Sequence, residues 1–335
     1  MNQRKSGIDL IRCLGLLFVV GVHSFLKNGF YYEPQTTAAM LLPNTFRWLF
    51  YGCNGIFMIL TGYLKSSKKL DKGYYRSLLP ILMGYFLTCV FSFPIRHFLL
   101  DEKLTVFEWT EKMFTFANYG WYVEMYIGLF LLAPFINMVL DAAQTPKQQY
   151  AFAGTMVILT ALPSITAANW IPDYWTALYP ITYYVLGAVI RRQNLRLKPW
   201  IGACGAFAVA AALGLVSLLT TDSGFSNGFT QGYGGFWITL MVTLLFLGLY
   251  HVKLPDFPAW VLAWCAGGVF EGYILSRLFD VWVYAQFSQW HEPGKYWIGY
   301  LCITLPIFII SLMLGKAVHT LAEKLTAPRK KKVSA

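Results

Sequence analysis

Ten stretches of roughly 20 apolar residues recur along the chain, at about 8–26, 45–64, 77–97, 121–140, 149–167, 174–190, 199–220, 234–250, 259–280 and 297–316. A helix of about 20 such residues crosses the hydrocarbon core of a bilayer. Lipid offers no partner for backbone N–H and C=O groups, so spanning segments fold as helices or closed barrels. The pattern predicts an all-α integral membrane protein, a bundle of about ten transmembrane helices. A soluble helical protein is a poor alternative, because 13% charged residues cannot cover a chain that is 57% hydrophobic.

The basic residues set the expected orientation. With the N-terminus inside, the inner segments hold Arg4 and Lys5; Lys65, Lys68, Lys69, Lys72 and Arg76; Lys147; Arg191, Arg192, Arg196 and Lys198; Lys253; and Lys316, Lys324 and Arg329 to Lys332. The outer segments hold only Lys27, Arg47, Arg96, Lys103, Lys112 and Lys295. This positive-inside asymmetry puts both termini in the cytoplasm; the membrane expected is the plasma (inner) membrane. The net charge of +11 is therefore chiefly a topology signal, with no folded basic domain for nucleic acid. The chain reads as a single transmembrane domain, 1–335, ending in a basic cytoplasmic tail, 320–335, suited to anionic membrane lipids. All six cysteines fall inside spans, so no disulfide framework is expected. No small-residue cleavage site follows the first span, which reads as uncleaved.

That first span, Ile8 to Leu26, carries Asp9, Arg12 and His23. A charge at the centre of a membrane helix costs on the order of 2.5–3.5 kcal/mol on insertion scales, which an anchor has no reason to bear. Arg12 and His23 are eleven positions apart, which returns to within about 20° of one helix face with a rise of about 16 Å. One stripe thus joins the inner entrance to a deeper histidine. The remaining histidines lie at the inner side (His251, His319) or the outer side (His97, His291). His23 has no i, i+4 partner, so zinc is not expected. No G-x-S-x-G elbow is present for a serine hydrolase.

Other polar groups are sparser. The second span, with Gly52, Gly55 and Gly62 suited to helix packing, carries Asn54, which needs a partner in lipid. Arg76, with Lys72 nearby, stands at the membrane edge, where a guanidinium suits phosphate. Thr105 to Glu108 is a capping-box pattern that opens a short amphipathic helix, expected in the outer interface before the fourth span. Glu124 sits one turn into the fourth span beside Trp121 and Tyr122. It reads either as an interfacial carboxylate or as an interior group that orients a histidine or binds substrate hydroxyls. In the ninth span Arg277 and Asp280 are spaced to pair, and Glu271 and Arg277 are not on one face. No internal repeat is evident, which weakens a transporter architecture.

An imidazole titrating near neutrality is suited to take a proton from a hydroxyl attacking an acyl carbonyl. An anionic carrier entering from the basic side meets Arg12 and Arg76 first. Coenzyme A fits, with phosphates at the basic side and a pantetheine arm of the right order to reach His23.

Asp9-Leu-Ile-Arg12 followed after ten residues by His23 resembles the first-helix signature of the membrane acyltransferase-3 family. GIFMILTGYL is similar to the family's F-F-x-x-S-G-Y, with Thr61 at the serine. WYVEMYIGLFLLAP resembles its fourth-helix motif, with Phe130 in place of a tyrosine. The resemblance implies a polytopic enzyme that moves an acyl group, commonly acetyl, from cytoplasmic acyl-CoA to a hydroxyl of a surface glycan or lipid-linked glycan. It implies His23 as the catalytic group together with Arg12. The site expected is His23, Arg12 and Glu124 for catalysis, Arg12, Arg76 and Lys72 for acyl-CoA, and Asn54, Trp121 and Tyr122 for the acceptor, with no metal. Two positions depart from the pattern. Only Arg76 remains of an R-x-x-R, and Ser276 stands where many members carry histidine. A transporter or flippase for a small polar substrate is the rival from another class.

Overall fold

The computed structural model describes residues 6–116, 120–165, 171–220, 224–226, 232–286 and 293–327. Every regular element among them is helical. The helices are α1 (Ser6–Lys27), α2 (Leu41–Tyr51), α3 (Cys53–Lys65), α4 (Lys72–Arg76), α5 (Leu79–Leu99), α6 (Val106–Thr115) and α7 (Trp121–Ala142). They continue as α8 (Pro146–Thr160), α9 (Tyr179–Gln193), α10 (Pro199–Thr220), α11 (Phe236–Leu249), α12 (Asp256–Ala266), α13 (Val269–Gln286) and α14 (Pro293–Thr326).

Each of the ten apolar runs contains helix, but among the described residues five helices are long and apolar enough to cross a membrane alone, six if the bent pair α12 and α13 is one span. The difference has two physical sources. The run at 45–64 breaks at Gly52, and that at 259–280 breaks at Gly267 and Gly268, where the axis bends by 71°. In addition α8, α9 and α11 have 15, 15 and 14 residues, about 22 Å of helix each. Short 3-10 turns at Leu162–Ile165 and Asp173–Leu178 follow α8 and precede α9.

α1 is the hub, touching α2, α3, α11, α12, α13 and α14. Glycines let the surrounding helices meet backbone to backbone, as small residues do in membrane packing. Gly62 of α3 lies against the Tyr184 carbonyl of α9, and Gly187 of α9 against the Ile59 carbonyl of α3. Gly268 and Gly272 bring α13 onto Gly315 and Ser311 of α14.

The α6 helix has the reciprocal capping box that its sequence announces. Its contacts set it against α5. Trp109 stacks on Phe93 at 4.8 Å, Phe116 packs on Tyr85 at 4.9 Å, and the Tyr85 hydroxyl donates to the Lys112 carbonyl at 2.9 Å. The chain therefore travels back along α5 before α7 begins.

Candidate active site

The two α1 residues that open the site are held by opposite flanks. At about 100° per residue, Gly15 lies some 60° to one side of Arg12 and Leu16 some 40° to the other, with His23 between them. Gly15 abuts the Phe57 ring of α3, and Leu16 abuts Gly272 of α13. The Arg12–His23 stripe therefore points between α3 and α13. Tyr122 of α7 closes the far side, with its ring 5.8 Å from Phe57 and 5.9 Å from Tyr273 of α13. Three helices thus frame an aromatic interior in front of the stripe.

Arg12 is not loose. Its Nη1 pairs with Asp9 Oδ1 at 3.3 Å, and Asp9 is buried while the guanidinium stays partly open. The buried acid one turn earlier fixes the cation's heading at that end of α1 without enclosing it. His23 is half-buried near the other end, and its Nδ1 is fully enclosed.

Asn54 joins the same frame from α3, one turn before Phe57. It is buried, its Oδ1 accepts from Cys53 Sγ at 3.8 Å, and its Nδ2 has no partner among the described residues. An unsatisfied buried donor costs about 1–3 kcal/mol, so a hydrogen-bonding ligand or water suits it. Trp121 stacks on Tyr233 at 5.8 Å and Tyr233 on Tyr51 at 4.1 Å, leaving the indole partly exposed beside the buried Tyr122.

Glu124 is one turn into α7 and exposed. Through Tyr122, which packs on Phe57 and so on the ring that abuts Gly15, the start of α7 adjoins the same frame. Glu124 also lies within electrostatic reach of the Tyr85 hydroxyl.

Arg76 stands exposed at the end of α4, whose first turn is capped by Asp71. The Lys72 side chain lies outside the described residues, as do residues 328–335 of the basic tail, His291 and the Asp280 side chain expected to pair with Arg277. Ser276 is fully buried, and its hydroxyl donates to the Tyr273 carbonyl at 2.7 Å, a local backbone bond. Thr61 does the same to Phe57. Phe130 is buried against Tyr74, at a centroid distance of 4.4 Å.

Sequence reasoning passed over two ionisable clusters. Glu271 and His319 face each other across α13 and α14, 3.0 Å apart. Arg47 of α2 is caged by aromatic rings. Neither has a spacing signal, because each brings together residues distant in the chain.

The Acyl_transf_3 family model, described as an acyltransferase domain, matches residues 5–316. No curated protein and no solved structure matches the chain. The match takes in the Arg12–His23 helix and the three helices that frame it. An acyltransferase with apolar, membrane-type helices follows, and the chain belongs to the acyltransferase-3 family.

Proposed function

We propose that the protein is an integral membrane O-acyltransferase that moves an acyl group, acetyl in the first instance, from cytoplasmic acyl-CoA to a hydroxyl of an extracytoplasmic polysaccharide or related cell-envelope acceptor. The observation that carries the reading is the Arg12–His23 stripe directed into the Phe57, Tyr122 and Tyr273 frame. In this reading both termini are cytoplasmic, as the basic loops imply. Phosphates of the donor stay by Arg12 and Arg76, and the pantetheine arm runs along the stripe. Lys72 is assigned to the same phosphates from its position beside Arg76.

His23 takes the acceptor hydroxyl proton as the oxygen attacks the thioester carbonyl. The tetrahedral intermediate collapses, the C–S bond breaks, and the departing thiolate recovers the proton from the imidazolium. Such general-base help is typically worth about 10²–10⁴-fold. Asn54, Trp121 and Tyr122 hold the acceptor, the indole by stacking and the amide by hydrogen bonding. Glu124 accepts from acceptor hydroxyls.

Membranes given labelled acetyl-CoA should incorporate label into glycan. His23→Ala membranes with equal protein should lose that incorporation, and undiminished labelling would remove His23 from the chemistry. Substrate movement that persists without acyl-CoA would favour a transporter instead.

A further inference from the structure

Arg47 is 1% exposed, on the side of α1 away from the stripe. Phe50, one turn on in α2, packs against Gly21, about 200° around α1 from His23. The guanidinium carbon lies 4.1 Å from the Tyr51 ring centre, 4.4 Å from Phe225, 4.7 Å from Trp48 and 5.3 Å from Tyr31. Its Nε donates to the Tyr31 hydroxyl at 2.8 Å, and its Nη1 is buried with no acceptor among the described residues. Among the described residues no carboxylate pairs with it. Aromatic faces offset part of the cost of burying a cation, but they do not replace a counter-ion.

Asn44 precedes Arg47 by three positions, on the same side of α2 as Trp48 and Tyr51. It is 0% exposed, and both its Nδ2 and its Oδ1 lack partners among the described residues. The adjoining segment repeats the pattern. Asn28 accepts from the Phe30 N–H and Gln35 donates to the Phe30 carbonyl, leaving Asn28 Nδ2 and Gln35 Oε1 buried and unpaired. Native proteins leave few such groups unsatisfied. A fixed cation beside an amide with a free donor and a free acceptor matches an anion that also carries a hydroxyl.

We propose that Arg47 and Asn44 bind one anionic group, a phosphate or a hydroxylated carboxylate, carried by the acyl acceptor or by a membrane-lipid headgroup. The acceptor source rests on the acyl-transfer reading; the binding itself does not. Tyr51, Tyr233 and Trp121 form a ring-on-ring column from Arg47 to the aromatic interior, so an occupied site would also steady Trp121.

The test is thermal unfolding of the purified full-length protein in phosphatidylcholine nanodiscs, with inorganic phosphate or glucuronate against glucose and against chloride of equal ionic strength. The wild type should gain several degrees with the two anions only, R47K should keep part of the gain, and R47Q should lose it. N44A retains the cation and should show a weakened gain, which keeps the test open if R47Q does not fold. Nanodiscs of phosphatidylglycerol distinguish the sources. A gain from that lipid, lost in R47Q, assigns the headgroup whether or not soluble anions also act; a response to soluble anions with none to that lipid assigns the acceptor. Equal gains in wild type and R47Q, or no gain with any anion or lipid, overturn the proposal. None of these readouts depends on acyl transfer.

Discussion

Glu271 Oε1 and His319 Nδ1 stand 3.0 Å apart and tie α13 to α14, while His319 Nε2 reaches Glu323 Oε1 at 3.3 Å. The Glu271 side chain is 2% exposed and its Oε1 presses on Gly84 of α5, so three helices depend on this pair. Removing one member of a buried pair strands the other charge, at a cost of about 3–5 kcal/mol. His319→Ala, which abandons a buried carboxylate, should therefore destabilise more than Glu271→Gln, which leaves a neutral group. The double variant should be more stable than the sum of the two losses predicts. Denaturation of all four proteins in one detergent checks this.

Arg12 is directed by Asp9 and lies about 16 Å from His23 along the stripe. Arg12→Lys keeps the charge but not the planar pair of donors. On the proposed function it should raise KM for acyl-CoA severalfold with little change in kcat, whereas His23→Ala should lower kcat by about 10²–10⁴-fold. Steady-state kinetics on membranes separate the two.

Gly62 faces the Tyr184 carbonyl, a backbone atom that cannot swing aside. Gly62→Ala should force α3 and α9 apart and cost about 1–3 kcal/mol, as overpacking does. Gly128→Ala, where an added methyl meets nothing, should be silent by the same melting assay.

Glu108 caps α6, and the Thr105 backbone N–H, followed by its hydroxyl, holds the carboxyl below its ordinary value of 4.5. A depressed acid contributes stability above its unfolded value and loses it as pH falls through the folded one. Amide protection at Glu108 and Trp109, corrected for intrinsic exchange, should be present at neutral pH and fall below about pH 4.5. Thr105→Ala should show the reduced protection at every pH.

Ser276→Ala should leave acyl transfer intact and cost at most about 1 kcal/mol, the worth of one local hydrogen bond. Its hydroxyl donates to the Tyr273 carbonyl, the bond that the substitution removes.

What could be read from the sequence was whatever lies within one helix. The eleven-residue interval from Arg12 to His23 and the Thr105–Glu108 cap follow from helical periodicity alone. Depth and neighbours across helices do not. The packing of α6 on α5 through Trp109 on Phe93 and Phe116 on Tyr85 is a path that no hydropathy window records. Glu271 and His319 are 48 positions apart, and Arg47 draws its rings from residues 31, 48, 51 and 225. Gly52 and the Gly267–Gly268 pair could be seen as glycines, but close packing and chain breaking look alike until neighbours are known.

The grip on α1 has a consequence for which carriers can serve. Phe57 against Gly15 and Gly272 against Leu16 oppose its rotation, and the Leu249 and Tyr250 backbone against Gly7 opposes sliding. The helix then acts as a rigid gauge whose two marks, Arg12 and His23, cannot drift. On the proposed function, a carrier whose anionic head and thioester are separated by a shorter tether would register one mark and miss the other. Acetyl phosphate, with no tether at all, should be refused even at saturating concentration.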